Sequence, residues 1–150
     1  MILSLNKIFY LIKDIFNILI KNIFINYFKF SGRTSRKEYL IYCISYLIID
    51  YFLQRKLPFL WYFIYIIYIF IPSLSIAFRR LHDFNFSGIV ILCAIIFVIA
   101  VTMFFDNYDI KFINDRLTTY FIYTLFISLD VVPGLIPGNS GSNKYGEPPE

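Results

Sequence analysis

Charge is what this sequence has least of. Of its 150 residues only 16% are Asp, Glu, Lys or Arg, and it holds one histidine, one tryptophan and two cysteines. Set against 59% hydrophobic and 21% aromatic content and a mean hydropathy of +0.66, that scarcity takes the chain outside the soluble globular range and makes a bilayer its natural solvent. Cys43 and Cys93 lie inside apolar runs, with no CxxC spacing and no neighbouring histidine. This argues against a zinc site or a disulfide framework, and buried free thiols are the expectation. Alanine does not occur before Ala77, and no small-x-small pattern follows the first apolar stretch. The N-terminal segment therefore does not read as a cleaved signal peptide and is expected to be retained.

What charge there is lies at the edges of apolar runs. A net charge of +4 and a pI near 9.0 would suggest nucleic acid for a soluble protein, but this placement reads as membrane topology, and no nucleic-acid partner is expected. From Leu5 to Lys21, Asn6, Lys7, Lys13, Asp14, Asn17 and Lys21 share one helical arc of about 120°, with Ile, Leu and Phe on the rest. That pattern predicts an amphipathic helix lying on the membrane surface and ending near Asn22; a spanning helix is the weaker reading. In "SGRTSRKEY", Ser35 and Glu38 have capping-box spacing, so a helix is expected to start near Arg36.

Four spanning candidates follow: 39–53, 57–78, 88–105 and 117–136. The second is the clearest, since its uncharged residues would make a helix of about 33 Å against a hydrocarbon layer of roughly 30 Å. Tyr39, Tyr62, Tyr120 and Tyr123 fall near helix ends, where interfacial anchors belong. The expected fold is thus an all-α membrane protein: a surface segment over 1–30, a bundle of about four transmembrane helices within 31–137, and a tail over 138–150. With four spans, ten of the Lys and Arg residues fall on the side of both termini and four on the other. By the positive-inside rule both termini face the cytoplasm.

This topology gathers three polar segments at one face: "FSGRTSRKEY", "FRRLHDFNFSG" and the tail "GNSGSNKYGEPP". Arg33, Arg36, Arg79 and Arg80 offer planar forks suited to carboxylate or phosphate, and Glu38 and Asp83 are acceptors within the same segments. An internal salt-bridge network and the binding of an anionic headgroup call for the same residue types, and both readings stand. His82 beside Asp83 invites a catalytic reading, but adjacent helical residues point about 100° apart, so the two would not readily bond each other. No nucleophile motif accompanies them; no catalytic, metal or cofactor residues are assigned, and an enzyme is the least favoured reading. Asp50 and Asp130 are the intramembrane ionisable residues. Asp50 lies close to Arg55 and Lys56, whereas Asp130 lies deeper, with Arg79 or Arg80 as its expected partner. In the tail, Gly, Asn, Ser and Pro are too dense for a helix, which predicts an extended strap anchored by Asn143 and Tyr145.

In that order and with apolar helices between them, the three segments resemble the signatures of a bacterial inner-membrane family of unknown function, domain of unknown function 805. The matching positions are Gly32, Arg33, Arg36, Glu38 and Tyr39; then Arg79, Arg80, Leu81, His82, Asp83, Ser87 and Gly88; then Gly138, Gly141, Asn143, Tyr145, Gly146 and Pro149. Against the family's usual pattern, Leu40 and Ile89 stand in place of tryptophans, Phe86 in place of a basic residue and Lys144 where Arg is frequent. The resemblance implies a small multi-spanning inner-membrane protein with no established activity. The leading expectation is a non-enzymatic protein whose cytoplasmic face binds an anionic lipid, a small ligand or a protein partner. The alternative is a small transporter or channel subunit using Asp130, which at this length would need a homo-oligomer.

Overall fold

The computed structural model describes residues 2–107 and 131–149. Among these residues it is helical: α1 (Ile2–Ile20), a π-helical turn (Lys21–Ile25), α2 (Arg36–Lys56), α3 (Phe59–Asp83) and α4 (Ile89–Asn107). A short helical stretch over 131–135 leads into the irregular tail. Asp130, and most of the fourth expected span, lie outside the described residues.

Each boundary has a local cause. Ser35 caps α2, its Oγ accepting from the Glu38 amide at 3.2 Å. The reciprocal half of the expected capping box is replaced: the Glu38 carboxylate accepts instead from Asn22 Nδ2 at 3.0 Å and Lys21 Nζ at 3.3 Å. Pro58 sits at the N-cap of α3, where its missing amide costs nothing. Helix α3 then runs five residues past Phe78, so "RRLHD" is helical and the corner to α4 is shorter than an extended loop would make it. Arg80 and His82 in its last turn suit the negative end of the helix dipole. The chain leaves the helix through Asn85, whose φ of 67° is left-handed, a conformation asparagine tolerates.

The core forms where α2, α3 and α4 meet: Tyr39, Tyr42 and Cys43 against Ile76, Ala77 and Leu81, with Ile91. Ile18, Leu19 and Ile23 pack onto it from the N-terminal segment. Cys43 is buried as expected, but Cys93 is exposed because it lies on the outer side of α4. Apolar side chains also cover much of the outer surface, including Phe9, Phe16, Ile48, Phe52, Trp61, Ile64 and Phe97, and Phe59 is 82% exposed. That outer surface is far more apolar than water-soluble monomers present. By length and hydropathy α3 is the one described helix sufficient to cross a membrane, with a shorter apolar stretch over Ile89–Val101.

Two ion pairs join the N-terminal segment to the first turn of α2. Asp14 reaches Lys37 at 3.8 Å and Lys21 reaches Glu38 at 3.3 Å.

Candidate functional site

The polar residues of the chain converge where α3 ends, α2 begins and the tail passes over both. Arg33, in the turn before α2, has a side chain only 1% exposed. Its Nε and Nη2 donate to Asp83 Oδ1 at 2.9 and 2.8 Å, a forked charge-assisted contact. Its remaining donors point into the tail: Nη1 to the carbonyls of Gly141 at 2.7 Å and Gly146 at 3.2 Å, and Nη2 to that of Asn139.

Arg80 is completely buried, at 0% exposure. Its Nη1 donates to the other Asp83 oxygen, Oδ2, and to the Thr34 carbonyl at 3.2 Å. Its Nε donates to the Pro133 carbonyl at 2.9 Å and its Nη2 to that of Ile136. Asp83 is therefore shared by two guanidiniums, one on each oxygen. Gly138 lies against that carboxylate so closely that a Cβ there would fall 1.9 Å from Oδ2. Nothing larger than glycine fits without moving Asp83.

Arg79 points elsewhere, as a 100° step along a helix requires. It donates to Asn22 Oδ1 at 2.7 Å and, through Nε, to the Ser75 carbonyl at 3.3 Å. Asn22 in turn donates to Glu38, which links Arg79 to that carboxylate through one amide. Ser75, one helical turn earlier, donates to the carbonyls of Asn26 and Lys29 at 3.0 and 2.7 Å. The π-turn thereby docks on α3. Asn22, Asn26, Thr34 and Ser75 are all buried and carry much of this geometry, yet the sequence reading passed over them. For Asn26 and Ser75 the available signal was a small polar residue within an apolar run.

His82 donates its Nδ1 proton to a backbone carbonyl and not to Asp83. Its Nδ1 lies 3.1 Å from the Gly32 carbonyl, so the neutral ring carries its proton on Nδ1. Its face stacks on Tyr145 at 3.7 Å between centroids, with the planes 6° from parallel. Burial pushes the His82 pKa below the usual histidine value, the Gly32 carbonyl partly offsets this, and the Lys144 charge adds to the lowering. Asn143 donates its Nδ2 to the His82 carbonyl at 2.9 Å and accepts from the Tyr145 amide at 2.8 Å. A bridge between Asn143 and Gly146 closes the tail into a tight turn.

The structure thus brings together Arg33, Arg80, His82, Asp83, Asn143 and Tyr145, with Arg79 and Glu38 in an adjoining network. Arg36 is exposed at the rim. Asp50 lies apart, in the later half of α2, accepting from the Tyr62 hydroxyl at 3.1 Å. Among the described residues no three His, Cys, Asp or Glu side chains are grouped to hold a metal.

A family model described as a protein of unknown function, DUF805, matches residues 27–147. The chain is similar to inner membrane protein YhaI of Escherichia coli K12, at 33% identity over 132 residues, covering 83% of this chain and 89% of that protein. The same identity and coverage hold for YhaI of Escherichia coli O157:H7. No solved structure matches.

Proposed function

This chain belongs to the DUF805 family, and from that membership and the charge arrangement at its helix ends we propose a non-enzymatic, multi-pass inner-membrane protein whose cytoplasmic face binds anionic lipid headgroups. The name of its Escherichia coli relatives supports the inner membrane. The apolar outer surface supports immersion in lipid, with α2, α3, α4 and the apolar run over 117–136 as the spanning set. Ten positive side chains on the side of both termini, against four on the other, favour a cytoplasmic N-terminus and C-terminus.

The observation that carries the binding reading is the sharing of Asp83. Arg33 and Arg80 are both buried and divide one carboxylate between them, so the corner holds a positive surplus in surroundings that screen charge poorly. Around it Arg36, Lys37 and Lys144 are exposed. The buried arginines set the local potential and are committed to protein acceptors. The exposed cations make the contacts, each worth on the order of 1 kcal/mol near an anionic leaflet. His82 fits a positioning role in this scheme, with its ring covered by Tyr145 and Nδ1 on a backbone carbonyl.

The test is native mass spectrometry of the protein extracted in mild detergent, comparing the parent with Arg36→Gln/Lys37→Gln/Lys144→Gln. The triple variant alters only exposed side chains and is expected to retain several-fold less phosphatidylglycerol or cardiolipin. Equal retention by a folded triple variant refutes the reading.

A further inference from the structure

We propose that the tail-facing edge of the Arg33 guanidinium, Nη1 and Nη2, is a second, closed anion site for a phosphate group, and that residues 138–149 of the tail are its built-in occupant, displaced when phosphate binds. The proposal rests on the anion-binding reading of this face and adds to it a site that the resting structure covers.

Three carbonyls from one short tail segment, those of Asn139, Gly141 and Gly146, converge on a single guanidinium. That is the arrangement an oxyanion would adopt on an arginine fork, with peptide oxygens in place of phosphate oxygens. The substitution is unequal in charge. Peptide carbonyls are neutral, and the one carboxylate present is divided between Arg33 and Arg80. A phosphate would replace neutral acceptors with charged ones and cancel the surplus, and charge-assisted bonds are roughly twice as strong as neutral ones. Beside Arg33, the Thr34 hydroxyl is fully buried and has no hydrogen-bond partner, so the same corner also holds unused hydrogen-bonding capacity.

The tail is built to come away. Ten of its thirteen residues over 137–149 are exposed, and Asn143, Tyr145 and Pro149 are partly so. Beyond the Arg33 contacts it is held by the Asn139 amide on the Asp83 carbonyl at 2.9 Å, by Asn143 on the His82 carbonyl at 2.9 Å, and by the Tyr145 ring on His82. None of these contacts belongs to the apolar core. Gly146 reaches Arg33 with a φ of 122°, a conformation open to glycine and strained for other residues.

Hydrogen exchange of the full-length protein reads tail release directly. Inorganic phosphate is added in detergent, with sodium chloride at matched ionic strength as the control; separately, the protein is placed in phosphatidylglycerol and in phosphatidylcholine discs. The expectation is that the Asn139 amide, which donates to the Asp83 carbonyl, exchanges at least tenfold faster with saturating phosphate, in phosphatidylglycerol discs, or in both. Acceleration by phosphate alone identifies a soluble anion, and acceleration in phosphatidylglycerol discs identifies a headgroup. Unchanged exchange in both, or equal acceleration by chloride, overturns the proposal. An Asn143→Ala/Tyr145→Ala protein, with its tail loosened, is expected to bind inorganic phosphate at least tenfold more tightly than the parent and to lose that gain with Arg33→Gln. Unchanged phosphate affinity would also sink the idea. Lipid retention through Arg36, Lys37 and Lys144 needs no tail release, so a protein that retains phosphatidylglycerol with a protected tail fails this inference alone.

Discussion

His82 is a residue whose neighbours fix its protonation. Burial and the Lys144 charge lower its pKa below the ordinary 6.5, so folding favours the neutral ring. A depressed folded pKa contributes stability that is complete above the unfolded value and is lost as pH falls through the folded one. We therefore expect the tail amide of Asn139, bonded to the Asp83 carbonyl, to be well protected at pH 7.5, with protection declining on acidification below pH 6.5. His82→Phe keeps a ring for Tyr145 to stack on and should flatten that dependence; hydrogen exchange across pH 4.5–7.5 checks both, and an equally steep decline in the variant would remove His82 as its source. The separation of His82 from Asp83 follows from helical geometry and was legible in the sequence. Which arginine takes which acceptor was not. Arg33, Arg79 and Arg80 are chemically identical, and their partners are set by angular position about α3 and by the exit path of the turn before α2, neither of which a sequence displays.

At the scale of single elements, Pro72 sits inside α3 and is buried there. Lacking an amide hydrogen, it leaves the Tyr68 carbonyl one turn earlier without its helical donor. The Tyr27 hydroxyl supplies the missing bond at 2.8 Å, which also ties the segment after the π-turn to the middle of α3. Tyr27→Phe should accordingly destabilise the fold by about 1 kcal/mol, the net worth of a hydrogen bond whose acceptor is then unsatisfied. In a Pro72→Ala background the helix amide returns and the same substitution should cost markedly less. Thermal unfolding of the four proteins of that cycle in one detergent gives the coupling, and additive effects would contradict the argument. The start of α2 was the legible part of these elements, because Ser35 announces it chemically. The end of α3 was not, since "RRLHD" reads as a polar loop until its side chains are seen to be satisfied within the protein, and the N-terminal periodicity gave no sign that Asn22 would be buried.

For the whole molecule, the contacts of Arg33 impose a topological condition that does not depend on how many helices cross the bilayer. Arg33 precedes α2 by three residues and touches the carbonyls of Gly141 and Gly146. The start of α2 and the tail must therefore lie on one side of the membrane, together with the Asp83 end of α3. Helix α3 has 25 residues, about 37 Å at 1.5 Å per residue, so its other end, next to Lys56, lies a bilayer thickness away. Single cysteines introduced as Arg36→Cys, Lys56→Cys and Lys144→Cys, in a protein whose Cys43 and Cys93 have been replaced, should then sort into two classes with a membrane-impermeant thiol reagent. Lys56→Cys is expected to react in intact cells, and the other two only after the inner membrane is opened. If Arg36→Cys and Lys144→Cys fell into different classes, the error would extend beyond the span count to the Arg33–tail contact itself, because no arrangement of helices lets one side chain bond across the bilayer.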